Sequence, residues 1–182
     1  MKTGRKTMDQ TKLVIGFSGK KRSGKTEASK AILRAFPTTA VRISLADPIK
    51  DAVALIAQPV TAHNKSILRP VLQTYGEAMK QLYGFDYWVK KATARWNMLQ
   101  LNHNIMICDD IRFPFEVEWI HSLGGRVIMI RRASESSDDT HISETSIDDV
   151  RPDYVVDNDC SSMELSDSVM SAFKDYETSI RV

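Results

Sequence analysis

Gly19-Lys20-Lys21-Arg22-Ser23-Gly24-Lys25-Thr26 forms a complete G-x-x-x-x-G-K-[ST] loop, directly behind the apolar run Leu13-Val14-Ile15-Gly16-Phe17. The motif constrains the fold because it works only where a strand enters the loop and a helix leaves it. Both flanks are present: the apolar run has the length of a buried strand, and Ala28, Ala31, Ile32 and Ala35 recur at i, i+3, i+4 and i+7 as one helix face. Glycine at either end lets the backbone curl until successive N–H groups point inward as an anion nest. Lys25 then reaches the β- and γ-phosphates of a nucleotide and the Thr26 hydroxyl ligates Mg²⁺. Gly19 to Thr26 are therefore expected to bind ATP with Mg²⁺, and the implied chemistry is phosphoryl transfer, with Lys25 catalytic. A glycine-rich turn with no ligand is the alternative, and the two flanking elements weigh against it.

Strand-like and helix-like segments alternate to the end of the chain, which predicts an α/β three-layer P-loop NTPase fold with a parallel sheet. Five strands are expected, at Leu13 to Phe17, Val41 to Leu45, Asn104 to Cys108, Arg126 to Ile130 and Tyr154 to Val156, all rich in Val and Ile as a doubly covered sheet requires. Between the second and third run two helical patterns, Leu72, Tyr75, Met79, Leu82 and then Trp88, Ala92, Trp96, Leu99, which predict an inserted helical layer. Ligands of open α/β sheets sit beyond the carboxyl ends of the strands, so this insertion is expected to cover an acceptor. Pro114 opens a later helix that Gly124-Gly125 closes, and Ser161 with Glu164 reads as a capping box for the last one. Ala133 to Asp149, crowded with Ser, Asp, Glu and Thr, reads as a short lid loop.

With 182 residues, 42% hydrophobic and 26% charged, the chain is expected to form a single domain over 1–182, its first 11 residues a mobile tail. A net charge of +2 with dispersed Lys and Arg argues against a nucleic-acid or membrane surface and suits small acidic substrates. Cys108 and Cys160 have neither disulfide nor metal-ligand spacing, and no signal peptide or membrane span is legible, so a cytoplasmic protein is expected. A homodimer is left open.

Ile105-Met106-Ile107-Cys108-Asp109-Asp110 delivers carboxylates to a strand's C-terminal edge, the Walker B position. Strand alternation means that only one of Asp109 and Asp110 faces the metal. Arg112 follows, with a donor fork suited to an acceptor phosphate or a side-chain pair with Glu116. Arg131 and Arg132 leave the fourth strand at the same edge, to contact the donor nucleotide and the transferring phosphate or to remain solvated. Asp47 caps the helix opened by Pro48 or contacts ligand, with Lys50 one turn on. The lone His141 reads as a surface residue.

Taken together, Phe17-Ser18-Gly19 to Thr26, Ser44 to Lys50, Tyr75-Gly76-Glu77 to Lys80, Asp86-Tyr87-Trp88-Val89, Asp110-Ile111-Arg112-Phe113-Pro114-Phe115-Glu116 and Asp139 to Glu144 resemble the bacteriophage deoxynucleoside monophosphate kinases. The first block is generic; the D-x-R-F-P-x-E and H-x-S-E blocks are far more specific. The resemblance implies transfer of the ATP γ-phosphoryl to a deoxynucleoside monophosphate with Mg²⁺. It assigns the donor phosphates to Lys25 and Thr26, the carboxylate near Mg²⁺ to Asp110, the transferring or acceptor phosphate to Arg112, and the acceptor side to Asp47, Lys50 and Trp88. Tyr75 with Trp88 is expected to stack on the base, and Lys80, where the family tends to have arginine, to share the monophosphate. The Lys20-Lys21-Arg22 triplet is instead similar to animal phosphomevalonate kinase, which makes another small phosphorylated acceptor the alternative. A nucleotide-dependent switch protein is the alternative from a different class.

Overall fold

The structure is a computed structural model that describes residues 11–133, 146–159 and 161–180. Most of the expected tail and of the lid loop, with His141 and Cys160, lies outside the described residues. In chain order the elements are β1 (Leu13–Ser18), α1 (Lys25–Ala35), β2 (Ala40–Ile43), α2 (Asp47–Ile56), α3 (Lys65–Tyr83), α4 (Tyr87–Leu99), β3 (Ile105–Ile111), α5 (Pro114–Ser122), β4 (Arg126–Arg131), a 3₁₀ turn (Ser146–Asp149), β5 (Tyr154–Asp157) and α6 (Ser162–Ser179). The five strands are all parallel and lie in the order β2-β3-β1-β4-β5.

Alternation along the buried strands sorts side chains onto two faces. Leu13, Ile15, Phe17, Ile105, Ile107, Ile128 and Ile130 pack beneath α1 and α6, with Ile32, Val169 and Phe173. Val14, Ile43, Met106, Cys108 and Val127 pack on the other face against α4 and α5, with Trp88, Trp96, Val117 and Ile120. This gives three layers around two cores. The Tyr176 hydroxyl joins α6 to the sheet margin by accepting from Val14 N–H and donating to the Gly124 carbonyl. The capping box at Ser161 and Glu164 forms reciprocally, with Ser161 N–H donating to Glu164 Oε2 at 2.9 Å and Glu164 N–H to Ser161 Oγ at 3.3 Å.

Two strand boundaries depart from expectation by more than one residue. β2 ends at Ile43 rather than Leu45, because Ser44 to Ala46 turn toward Asp110 instead of continuing the ladder. β3 runs on through Asp109 and Asp110 to Ile111, since both carboxylates find donors on the β2 side and need not leave the sheet. The inserted layer holds three helices counting α2, with α3 the longest at 19 residues.

Candidate active site

The glycine loop joins β1 to α1. Gly19 and Gly24 have φ of 137° and 108°, and a Cβ would lie 2.2 Å from the Ile130 carbonyl oxygen at the first and 2.4 Å from Asn158 Nδ2 at the second. Both positions therefore demand glycine. Arg22 is also left-handed, with φ of 68°. Buried Asn158 holds the loop from the side: its amide donates to the Ser23 carbonyl at 2.7 Å, while its backbone N–H donates to the Arg131 carbonyl at 2.7 Å. Sequence reasoning missed Asn158, which no motif marks. Lys25 Nζ donates to the carbonyls of Gly19 and Lys20, at 2.6 Å each, so that the ammonium spans the loop. Among the described residues, buried Ser18 Oγ and Ser23 Oγ have no hydrogen-bond partner. Curled backbone, a spanning ammonium, an orphaned hydroxyl in the loop and the exposed Thr26 in the first turn of α1 fit a polyphosphate with Mg²⁺.

The two aspartates of β3 part ways. Asp110 lies on the α4–α5 face, where Oδ2 accepts from Ser44 Oγ (2.6 Å) and Ala46 N–H (3.0 Å) and Oδ1 accepts from Leu45 N–H (3.1 Å). It clamps the turn that starts α2. Asp109, 7% exposed, lies in a bulge of β3, where the register against β1 slips between Cys108 and Ile111. Its Oδ2 accepts from Arg42 Nε at 2.8 Å, while Oδ1 is buried without a hydrogen bond among the described residues. Burial pushes the Asp109 carboxyl up, with Arg42 opposing. Of the pair, Asp109 keeps one carboxylate oxygen without a hydrogen bond among the described residues, whereas both oxygens of Asp110, to which the resemblance assigned the metal, accept hydrogen bonds from the β2–α2 turn.

On the other side of the edge, cations gather. Lys50 Nζ pairs with Asp47 at 2.8 Å and Arg42 Nη1 with Asp47 at 3.3 Å. Burial works against the Asp47 carboxylate, but the Lys50 hydrogen bond and the charges of Lys50, Arg42 and Arg95 hold it below its ordinary value. Lys65 is pushed below its ordinary value first by burial of its ammonium and then by the charges of Lys50, Arg69, Arg112 and Arg42. Five cations from β2, α2, α3 and the end of β3 therefore share one region. Lys65 and Arg69 escaped sequence reasoning because they lie at the start of α3, more than forty residues from Arg112.

Arg112 is held through its backbone. Glu116 Oε2 accepts from the N–H groups of Arg112 (2.7 Å) and Phe113 (3.1 Å), instead of forming the side-chain pair that spacing allowed. Burial raises the Glu116 carboxyl to about 8, and the charge of Asp110 adds to the effect while the two backbone donors oppose it. From an ordinary value near 4.5, the unfolded chain releases this proton first, so stability falls as pH rises from about 4.5 to 8 and levels off above. Glu116→Gln keeps an acceptor for both N–H groups and should abolish that component. Urea midpoints of the two proteins between pH 5 and 9 should diverge in favour of the variant; parallel profiles would show that Glu116 is ionised throughout.

The remaining expected residues separate. Trp88 is 7% exposed and gives its indole N–H to the Gly76 carbonyl at 3.0 Å, with Tyr75 and Tyr87 against it. Trp88, expected to stack on a base, is thus largely buried, and its indole N–H joins α4 to α3. Tyr75, half-buried, packs on it. Lys80 pairs with Glu77 at 2.6 Å beside the Phe85 and Phe113 rings. Arg131 makes a two-pronged pair with Asp157, at 2.6 and 3.0 Å, and Lys20 reaches Asp148 at 3.2 Å. Lys21, Arg22 and Arg132 are exposed at the same edge.

A parallel sheet of this order, with its glycine loop between β1 and α1 and carboxylates closing β3, defines a P-loop kinase fold. Solved structures agree: shikimate kinase from Aquifex aeolicus superposes with a TM-score of 0.54 over 88% of this chain and 96% of that one, at 11% identity. A provisionally named kinase from Chloroflexus aurantiacus gives 0.51 over 92% and 99%, also at 11% identity. The model of the deoxynucleotide monophosphate kinase family matches residues 56–169, and the chain belongs to that family. Among its relatives, the ORF77 protein of Ictalurid herpesvirus 1 (strain Auburn) is 30% identical over 166 residues, 88% of this chain and 67% of the relative. A protein of Acanthamoeba polyphaga mimivirus, provisionally named a deoxynucleotide monophosphate kinase, is 26% identical over 190 residues, 87% of this chain and 95% of that one. No helix among the described residues is long and apolar enough to cross a membrane.

Proposed function

We propose that the protein transfers the γ-phosphoryl group of ATP to a deoxynucleoside monophosphate, with Mg²⁺, giving the diphosphate and ADP. The observation that carries this reading is the cation cluster of Lys50, Lys65, Arg69 and Arg112 with Arg42, gathered at the same sheet edge as a polyphosphate loop. Asp47 and Asp109 balance part of this charge through Lys50 and Arg42, and a dianionic acceptor phosphate would meet the repulsion still felt at Lys65 with charge-assisted hydrogen bonds. The glycine loop holds the donor phosphates, Lys25 turns its ammonium from the loop carbonyls to phosphate oxygens, and Thr26 with Asp109 supplies hard oxygen donors for Mg²⁺. When bound, Mg²⁺ would supply charge neutralisation for the donor phosphates. Two polyanions need positioning and charge neutralisation far more than covalent help. Arg112, fixed by Glu116 at its backbone and directly following β3, is the residue assigned here to the transferring phosphoryl group.

ADP release should therefore be stimulated by deoxynucleoside monophosphates and not by shikimate or phosphomevalonate. Arg69→Ala should raise the acceptor KM about tenfold or more, the loss of about 1.4 kcal/mol expected for one charge-assisted phosphate contact, with the ATP KM within twofold. An unchanged acceptor KM, or equal loss for both substrates, would remove Arg69 from the acceptor site.

A further inference from the structure

Beside the cation cluster lies a recess of about 280 Å³ lined by Glu77, Lys80, Phe85, Phe113, Phe115 and Ser146. The Phe113 and Phe115 rings stack at 17° with centroids 5.6 Å apart, and Lys80 Nζ lies 5.3 Å from the Phe113 centroid and 6.0 Å from that of Phe85. Phe85 is 72% exposed, a large apolar ring at the mouth of an apolar cavity. The Glu77–Lys80 pair, at 2.6 Å, supplies a carboxylate and an ammonium side by side at its edge. Aromatic walls with one adjacent acceptor and donor suit a flat heterocycle read along one edge.

Position along α3 ties the recess to the phosphate cluster. Lys65, Arg69, Glu77 and Lys80 share one helix face, spaced by four, eight and three residues. Arg69 and Glu77 are about 12 Å apart along the axis at 1.5 Å per residue, a span suited to a nucleoside monophosphate. At the far side, Arg112 of the cluster is followed immediately by Phe113 of the recess.

We propose that this recess, and not the buried Trp88, is the subsite for the acceptor's base, and that Glu77 with Lys80 selects guanine; the inference rests on the acceptor class argued above. Guanine alone among the common bases places two adjacent N–H donors, N1–H and the 2-amino group, beside a carbonyl. Its two donors meet the two carboxylate oxygens of Glu77 as O6 accepts from Lys80. Adenine and cytosine offer one donating amine beside a bare ring nitrogen, and thymine sets a second carbonyl against the carboxylate. Those mismatches leave polar groups unpaired, which is what makes a hydrogen-bonding site discriminate.

The test is acceptor kinetics of the full chain with dGMP, dIMP, dAMP, dTMP and dCMP, for the wild type, Glu77→Gln and Phe85→Ala. Both substitutions fall on side chains exposed enough to leave folding intact. Expected are the highest kcat/KM with dGMP and about a tenfold lower value with dIMP, which lacks the 2-amino group. Glu77→Gln should narrow that gap to within twofold. Phe85→Ala should raise the KM of every acceptor about tenfold while that of ATP holds. Turnover of dGMP with the dGMP-to-dIMP ratio unchanged in Glu77→Gln, or with no effect of Phe85→Ala, overturns the base subsite alone. No turnover with any of the five overturns the acceptor class and the subsite with it.

Discussion

Lys25→Ala should lower kcat on the order of 10²- to 10³-fold, as removal of one preorganised charge donor from developing phosphoryl charge does. The structure gives the reason for expecting more than a lost surface charge. Lys25 Nζ already donates to two loop carbonyls at 2.6 Å, so the ammonium is held over the nest and needs little reorganisation when phosphate oxygens replace them. Lys25→Arg should not restore activity, because a planar fork on a longer stem cannot occupy the position of a compact ammonium in a loop closed by Gly19 and Asn158. The fold should survive, since the sheet and both cores lie below the loop. Single-turnover phosphoryl transfer measured alongside circular dichroism would decide it; near-wild-type transfer by a folded variant would end the assignment of the loop to the donor.

What was legible in the sequence follows from which interactions are local. Buried parallel strands are continuous apolar runs, and a glycine loop must carry its glycines at fixed spacing, so sheet and donor site could be read directly. Helix caps such as Ser161 with Glu164 are equally local. The acceptor side is different. Lys50, Lys65, Arg69 and Arg112 become neighbours only because α2 and α3 begin and β3 ends at one edge, and nothing in the spacing of residues 50 to 112 announces it. Phe85 and Phe113 meet across a recess for the same reason. Trp88 shows the converse: an aromatic residue at helical spacing is more often core than ligand wall, and its N–H bond to Gly76 fixes it there. The end of β3 misled because adjacent aspartates usually stop a strand, and here Arg42 of β2 and Ser44 just beyond it supply donors to both.

Those donors also separate the two aspartates experimentally. Asp110→Ala should destabilise the fold by about 3 kcal/mol or more, because it strands the N–H groups of Leu45 and Ala46 and the Ser44 hydroxyl, each bonded now to the carboxylate. The loss would spread to α2, whose first turn that carboxylate holds, and so to Asp47 and Lys50 at the acceptor side. Asp109→Ala leaves a different vacancy. It removes a partner of Arg42 and the one carboxylate oxygen of the pair that is buried without a hydrogen bond among the described residues. Its stability cost should be smaller, because Arg42 is partly exposed and retains Asp47. Its activity cost should be the larger, on the order of 10²-fold at low Mg²⁺ and relieved as Mg²⁺ rises, the behaviour of a lost oxygen donor near the ion. Urea unfolding and a Mg²⁺ titration on both variants would read the two effects separately. Asp110→Ala folding like the wild type but demanding more Mg²⁺ would reverse the assignment, placing the metal at the carboxylate whose oxygens the β2–α2 turn now occupies.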